Sequence, residues 1–201
     1  MELLVVLAII ISIMGIVLTS QSSFNKTFLL ANTAYDIALT LRFTESLGVG
    51  TLAAGTTANA GRGVHFDRAT PNSFKLFADI SPPSATCTTA TPDCKPGDKV
   101  YTDGQDQRTQ TYTLGNGMTV SDFCARAESG DWSCARSLNE ALATLDIVFA
   151  RPNPDAFIRA NGDAGISYTS ACIAVRSLEG ALRYVTVAPS GSITANVSSC
   201  P

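Results

Sequence analysis

Six cysteines, one histidine and a loop of aspartates are the side chains here that could do chemistry. Cys87, Cys94, Cys124, Cys134, Cys172 and Cys200 all lie beyond the first helix, and none stands in a Cys-x-x-Cys spacing. Such a set suits disulfides in an oxidising compartment better than a zinc or redox centre. Six cysteines allow many connectivities, and loop closure with chain order favours Cys87–Cys94, Cys124–Cys134 and Cys172–Cys200. Each bridge contributes about 2–4 kcal/mol when unstrained, shorter loops less. Asp93, Asp98, Asp103 and Asp106 cluster in a stretch rich in Thr, Pro and Gly. Hard oxygen ligands on a loop can hold calcium, which makes Asp98, Asp103 and Asp106 weak candidates. Their spacing fits no EF-hand, because no glutamate closes the loop after Gly104, and a solvated acidic loop is the plainer reading. No other cofactor is suggested.

His65 stands in a strand-like run with no Ser or Cys motif beside it, so it reads as a core or surface histidine rather than a general base. Gly48, Gly50 and Gly55 follow a helix rather than a strand and lack Gly-Lys-Ser/Thr, which excludes a phosphate loop. Arg151, Arg159, Arg176 and Arg183 form no cluster in sequence and are balanced by Glu140, Asp146, Asp155, Asp163 and Glu179. Ion pairing and solvation account for them. Fourteen Lys and Arg against seventeen acids leave a net charge of −3, so no basic field points to nucleic acid. No acid–base or nucleophile constellation stands out, and the expectation is a non-enzyme.

The elements that carry these residues begin with an apolar rod. In a 201-residue chain that is 45% hydrophobic and 15% charged, the apolar residues are unevenly spread. Leu3 to Leu18 reads LLVVLAIIISIMGIVL, without a charge. As a helix it spans about 24 Å, somewhat less than the roughly 30 Å hydrocarbon core of a bilayer. A soluble core helix would show polar residues every third or fourth position, and none comes until Thr19. Three readings compete at this point. A cleaved secretory signal wants a basic start and a small-residue junction, whereas Met1-Glu2 is acidic and Thr19-Ser20-Gln21 fits the junction poorly. A plain membrane anchor leaves Glu2 unexplained. The third reading makes Glu2 the point of the segment, since a carboxylate in a membrane span costs about 2.5–3.5 kcal/mol and usually has a partner or a task.

No proline occurs before Pro71, and helical periodicity continues past the rod. Phe24, Phe28, Ala31, Tyr35 and Ala38 form one stripe; Leu30, Ala34, Ile37 and Leu41 form another. Both read as core packing that welds the rod to a head, with Gly48 and Gly50 as the stop. A helix from Glu2 to Leu47 would be about 69 Å long. Beyond Gly55 the mix turns to Thr, Val, Phe, Gly and Asn. Strands are expected at Gly63–Phe66, Ser73–Ala78, Thr109–Leu114, Met118–Phe123 and Leu145–Phe149, then around Ile158, Cys172–Val175 and Tyr184–Val187. Asn116-Gly117, Asn161-Gly162, Glu179-Gly180 and Ser190-Gly191 mark turns. The expected fold is α+β: residues 1–23 the apolar half of a long helix, 24–48 its amphipathic half, and 49–201 a disulfide-stapled antiparallel β head packed on it.

The run Glu2-Leu3-Leu4-Val5-Val6-Leu7-Ala8-Ile9-Ile10 resembles the N-terminus of type IV pilins and type II secretion pseudopilins. The stretches Ala34 to Arg42, Gly63-Val64-His65-Phe66 and Phe74 to Asp79 resemble the H-type minor pseudopilin and FimT-like group. So do the closing hairpins, Leu145 to Phe149 and Arg183 to Ser192. The resemblance implies a structural subunit of a type IV filament, pilus or secretion pseudopilus, in which Glu2 pairs with a neighbouring subunit's N-terminal amine and sets register. Leu3, Leu4, Val5 and Val6 would join it in assembly. It implies an inner-membrane stage with an extracytoplasmic head, then a periplasmic or cell-surface filament made with other pilins or pseudopilins. It also implies a prepilin peptidase and an assembly motor as partners, and a basic leader with a Gly-Phe junction upstream of Met1. The competing class is a membrane-anchored or secreted β-rich module that binds a ligand or DNA.

Overall fold

A computed structural model describes residues 2–50, 60–80, 97–136, 141–151 and 153–200. One helix, α1, runs unbroken from Glu2 to Val49 (48 residues), about 72 Å. Its polar side chains do not interrupt it: Ser12, Thr33, Thr40 and Thr44 donate their hydroxyls to the carbonyl four residues back. Gly48 does not end the helix. It lies inside the last turn and is buried, and a Cβ there would sit 2.3 Å from the Phe149 carbonyl oxygen. Glycine at this position lets the helix axis approach the sheet, and the chain leaves α1 at Gly50, whose N–H still donates to Ser46.

Ten strands follow among the described residues: β1 (Gly61–Asp67), β2 (Ser73–Asp79), β3 (Gln107–Thr113), β4 (Thr119–Ala127), β5 (Trp132–Cys134), β6 (Thr144–Ala150), β7 (Asn153–Ala160), β8 (Asp163–Arg176), β9 (Leu182–Val187) and β10 (Ile193–Val197). All pairings are antiparallel, in the order β10-β9-β8-β7-β6-β1-β2-β3, with β4 and β5 branching from β8. The branch arises because β8 is fourteen residues long. Its first part pairs with β7, while Ala171–Arg176 lies between β4 and β9. The sheet therefore curls around α1.

Leu30, Ala34, Ile37 and Leu41 are fully buried and meet Val64, Phe66, Ile147, Phe149, Ile173 and Val185 in one core. The expected first stripe divides differently. Ala38 joins the core, but Phe28 is 57% and Tyr35 52% exposed. These two do not weld the head to the rod, because a helix lying on one sheet can bury only one stripe. The side chain of Phe24 lies outside the described residues. Two arginine contacts tie α1 to distant parts of the chain: Arg42, on the helix, donates to the Ile193 carbonyl, and Arg151 donates to the Val49 carbonyl. The last turn of α1 carries no basic residue of its own, so Arg151 supplies the positive charge its carbonyl end favours.

Candidate functional site

The first candidate surface is the rod itself. Leu3, Leu4, Val5 and Val6, the expected assembly residues, are 76, 71, 59 and 55% exposed. The apolar side chains continue exposed on all sides to Ile16, and a shallow strip from Leu4 to Ile16 is open to solvent. Glu2 opens α1; its side chain lies outside the described residues. Among the described residues no helix is long and apolar enough to cross a membrane. Further along, Phe28, Tyr35, Leu39 and Phe43 form an uncovered ridge on the side of α1 away from the core. The periodicity revealed two stripes, but it could not tell which one the sheet would cover.

A second cluster lies on the opposite face of the sheet, beneath residues 97–106. Phe77, Val148 and Tyr101 are buried there with Phe157 against them. His65 Nδ1 stands 2.7 Å from Asp146 Oδ1, both side chains buried, and the His65 ring lies 4.7 Å from that of Tyr101. Burial raises the Asp146 carboxyl above its usual range, and its hydrogen bond to His65 pulls it part of the way back. His65 is thus a core histidine pinned to one carboxylate. Asp79, fully buried, accepts from the N–H groups of Asp98 and Lys99 and from Lys99 Nζ. Burial pushes its carboxyl up to about 6 despite Lys99. Gly97 passes so close that a Cβ would reach the Asp79 carboxylate, and its φ of +100° needs glycine.

Two of the calcium candidates accept from backbone and the third from a phenol. Asp98 accepts from Val100 N–H, Asp106 from Ile80 and Thr102 N–H, and Asp103 from the Tyr101 hydroxyl. Among the described residues the one group of metal-ligating atoms within mutual reach is Asp122, Cys124 and Cys134, and both of those sulfurs are spent in a disulfide. Asp93 lies outside the described residues. The roles of Asp79 and Asp106 carry no sequence signal, because their partners are amides brought in from a distant segment.

Two expected disulfides are present, Cys124–Cys134 and Cys172–Cys200. Cys87 and Cys94 lie outside the described residues. Cys124 faces Cys134 on one side and Cys172 on the other, so the two bridges stand next to each other across β5, β4 and β8. The second ties the C-terminus to a central strand.

The four arginines are held by solvent and backbone rather than by the acids. Among the described residues the ion pairs include Lys26–Glu179, His65–Asp146 and Lys99–Asp79, none of which involves Arg151, Arg159, Arg176 or Arg183. Arg151, Arg159 and Arg183 donate to backbone carbonyls instead. Two of the acids expected to balance them are engaged elsewhere: Asp146 with His65, and Glu179 with Lys26, whose hydrogen bond holds the Glu179 carboxyl below its ordinary value. Glu140 lies outside the described residues. Arg176 lines a cleft on β8 with Arg136, a residue the sequence did not single out. Compared with protein-family models, curated proteins and solved structures, the chain finds no match.

Proposed function

We propose that this chain is a structural subunit of a type IV filament, either a pilus pilin or a type II secretion pseudopilin. The observation that supports this most directly is one helix with two incompatible surfaces. Leu30, Ala34, Ile37 and Leu41 are sealed in the head, while Leu3–Ile16 and the Phe28–Tyr35–Leu39–Phe43 ridge of the same helix are bare. An apolar surface running that length exceeds what a solitary soluble protein exposes, and it needs a dry partner. Lipid covers the rod before assembly; helices of neighbouring subunits cover rod and ridge afterwards. The exchange is nearly neutral in hydrophobic terms, because both surroundings are apolar.

Near-neutral packing says little about axial position, and Glu2 supplies that information. A carboxylate among apolar helices is strongly penalised unless it meets a cation, so placements that leave it unpaired are rejected. The neighbouring subunit's N-terminal amine is the partner the resemblance implies. A prepilin peptidase and an assembly motor act on the chain, and the head stands on the extracytoplasmic side, where its disulfides form.

The test is Glu2→Leu in the native host. Incorporation into sheared filaments is expected to fall to a small fraction of the wild-type level while the amount of protein in the membrane is unchanged. Wild-type incorporation overturns the mechanism. Mass spectrometry of the mature chain adds a second check, since cleavage after Thr19 or Ser20 removes the rod and the proposal with it.

A further inference from the structure

The outer face of the β4–β8–β9 arm carries a cleft of about 250 Å³ that the filament reading does not use. Ala174 lies in its floor, with Tyr184 opposite on β9. Arg176, at the end of β8, and Arg136, just past β5, both line it. Among the described residues neither guanidinium has an ion-pair or hydrogen-bond partner. The lining includes one carboxylate, Asp122, and its Oδ1 accepts from the Phe123 and Arg136 N–H groups, which anchors the backbone that carries Arg136. The cleft therefore gathers two forked donors and a phenol around a space large enough for a tetrahedral anion. Guanidinium forks match phosphate oxygens in pairs, and two like charges sharing one small cleft are relieved when such an anion enters.

Its position says where the phosphate comes from. The turn after Arg176 is Ser177-Leu178-Glu179-Gly180; Gly180 lines the cleft, and Glu179 is bonded at 2.7 Å to Lys26 of α1. Lys26 is about 12 Å along the helix from Leu18, the end of the apolar run. With the rod in a bilayer, the Ser177–Gly180 turn that borders the cleft stands beside the headgroup layer. Leu178, at the tip of that turn, is 78% exposed and rests on Gly117. An apolar tip two residues from an exposed arginine has the chemistry of an interfacial anchor.

We propose that the Arg136–Arg176 cleft binds the phosphate of an anionic lipid headgroup, seating the head on the membrane surface before assembly. This rests on the filament-subunit reading, which supplies the membrane stage. Leaving lipid for the filament then breaks this contact, and the head is free to rotate onto its neighbours.

The experiment uses the full chain in nanodiscs of phosphatidylcholine, alone or with phosphatidylglycerol, and reads hydrogen exchange at residues 177–181. Phosphatidylglycerol is expected to slow exchange there about fivefold in the wild type and to have no effect on the Arg136→Gln/Arg176→Gln double variant. Insertion into the discs without any lipid-dependent protection overturns this proposal and leaves the filament reading standing. Failure to enter the discs at all overturns both. Protection by inorganic phosphate in phosphatidylcholine discs, with nothing added by phosphatidylglycerol, assigns the cleft to a soluble anion and overturns the lipid source. Protection by duplex DNA alone does so in favour of nucleic acid.

Discussion

The two faces of α1 predict opposite phenotypes for residues only two positions apart. Ile37 is fully buried in the core, and Tyr35 is half exposed on the ridge. Ile37→Ala deletes three carbons from a packed site whose neighbours belong to a sheet and relax little. Such truncations cost about 2–5 kcal/mol, and alanine's better helix propensity returns only a few tenths. Tyr35→Asp removes a side chain that is half in water in the lone subunit and outside the core, so the head should lose less than about 1 kcal/mol. In the filament the same aspartate would lie among apolar helices without a partner, a penalty of several kcal/mol per subunit that incorporation should not survive. The stability arm is urea denaturation of the full chain in nonionic detergent, followed through Trp132, the one tryptophan in the sequence. The assembly arm is the filament fraction sheared from cells. Ile37→Ala should shift the urea midpoint strongly at unchanged m-value; Tyr35→Asp should keep the midpoint and vanish from filaments. Normal assembly of Tyr35→Asp would falsify the role given to the ridge, and a Tyr35→Asp midpoint loss as large as that of Ile37→Ala would refute the division of faces.

The two disulfides should differ in worth because they close different lengths of chain. Separations of 28 residues for Cys172–Cys200 and 10 for Cys124–Cys134 correspond to about 3.6 and 2.7 kcal/mol in the loop-entropy relation. Cys200→Ala should therefore destabilise the head more than Cys134→Ala in the same urea titration, and the reverse order would exclude that origin. Asp79 predicts a pH dependence whose sign is opposite to that of a carboxylate stabilised by a salt bridge. Its carboxyl titrates at about 6 in the fold and near 3.9 in the unfolded chain, so the folded state binds the extra proton between those values. Its contribution is fully present below about pH 4 and is lost as pH rises through 6, a change of about 3 kcal/mol. Asp79→Asn should flatten the stability profile between pH 4 and 7; an unchanged slope would assign it to Asp146 or another group.

What could be read from the sequence was what short-range periodicity encodes. Leu30, Ala34, Ile37 and Leu41 recur at helical spacing and are the buried stripe. Asn116-Gly117 and Asn161-Gly162 marked turns correctly, because both residues of each pair hold positive φ and few other pairs can. β1, β2, β3, β4, β6 and β9 overlap the expected runs of β-branched and aromatic residues, while β5 and β10 were not expected. The length of β8 and its double membership were not legible: Asp163–Ser170 is polar and exposed enough to pass for a loop. Gly48 looked like a helix stop because the sequence does not show that Phe149 passes beside it. The arginine cleft draws on β4, the segment after β5 and the β8–β9 turn, and no local pattern joins three pieces of chain.

The two arginine tethers on α1 also bear on the order in which this molecule can be made. Ile193 lies 151 positions after Arg42, and Arg151 lies 102 after Val49. A ribosome delivers the stem well before the β9–β10 hairpin, so the stem's inner end stays unfastened until both of its partners have been made. Only a chain translated as far as β10 can lock both latches. A product cut short by early termination or by a protease would dangle from its stem with the head ajar, and would be an easy substrate for degradation.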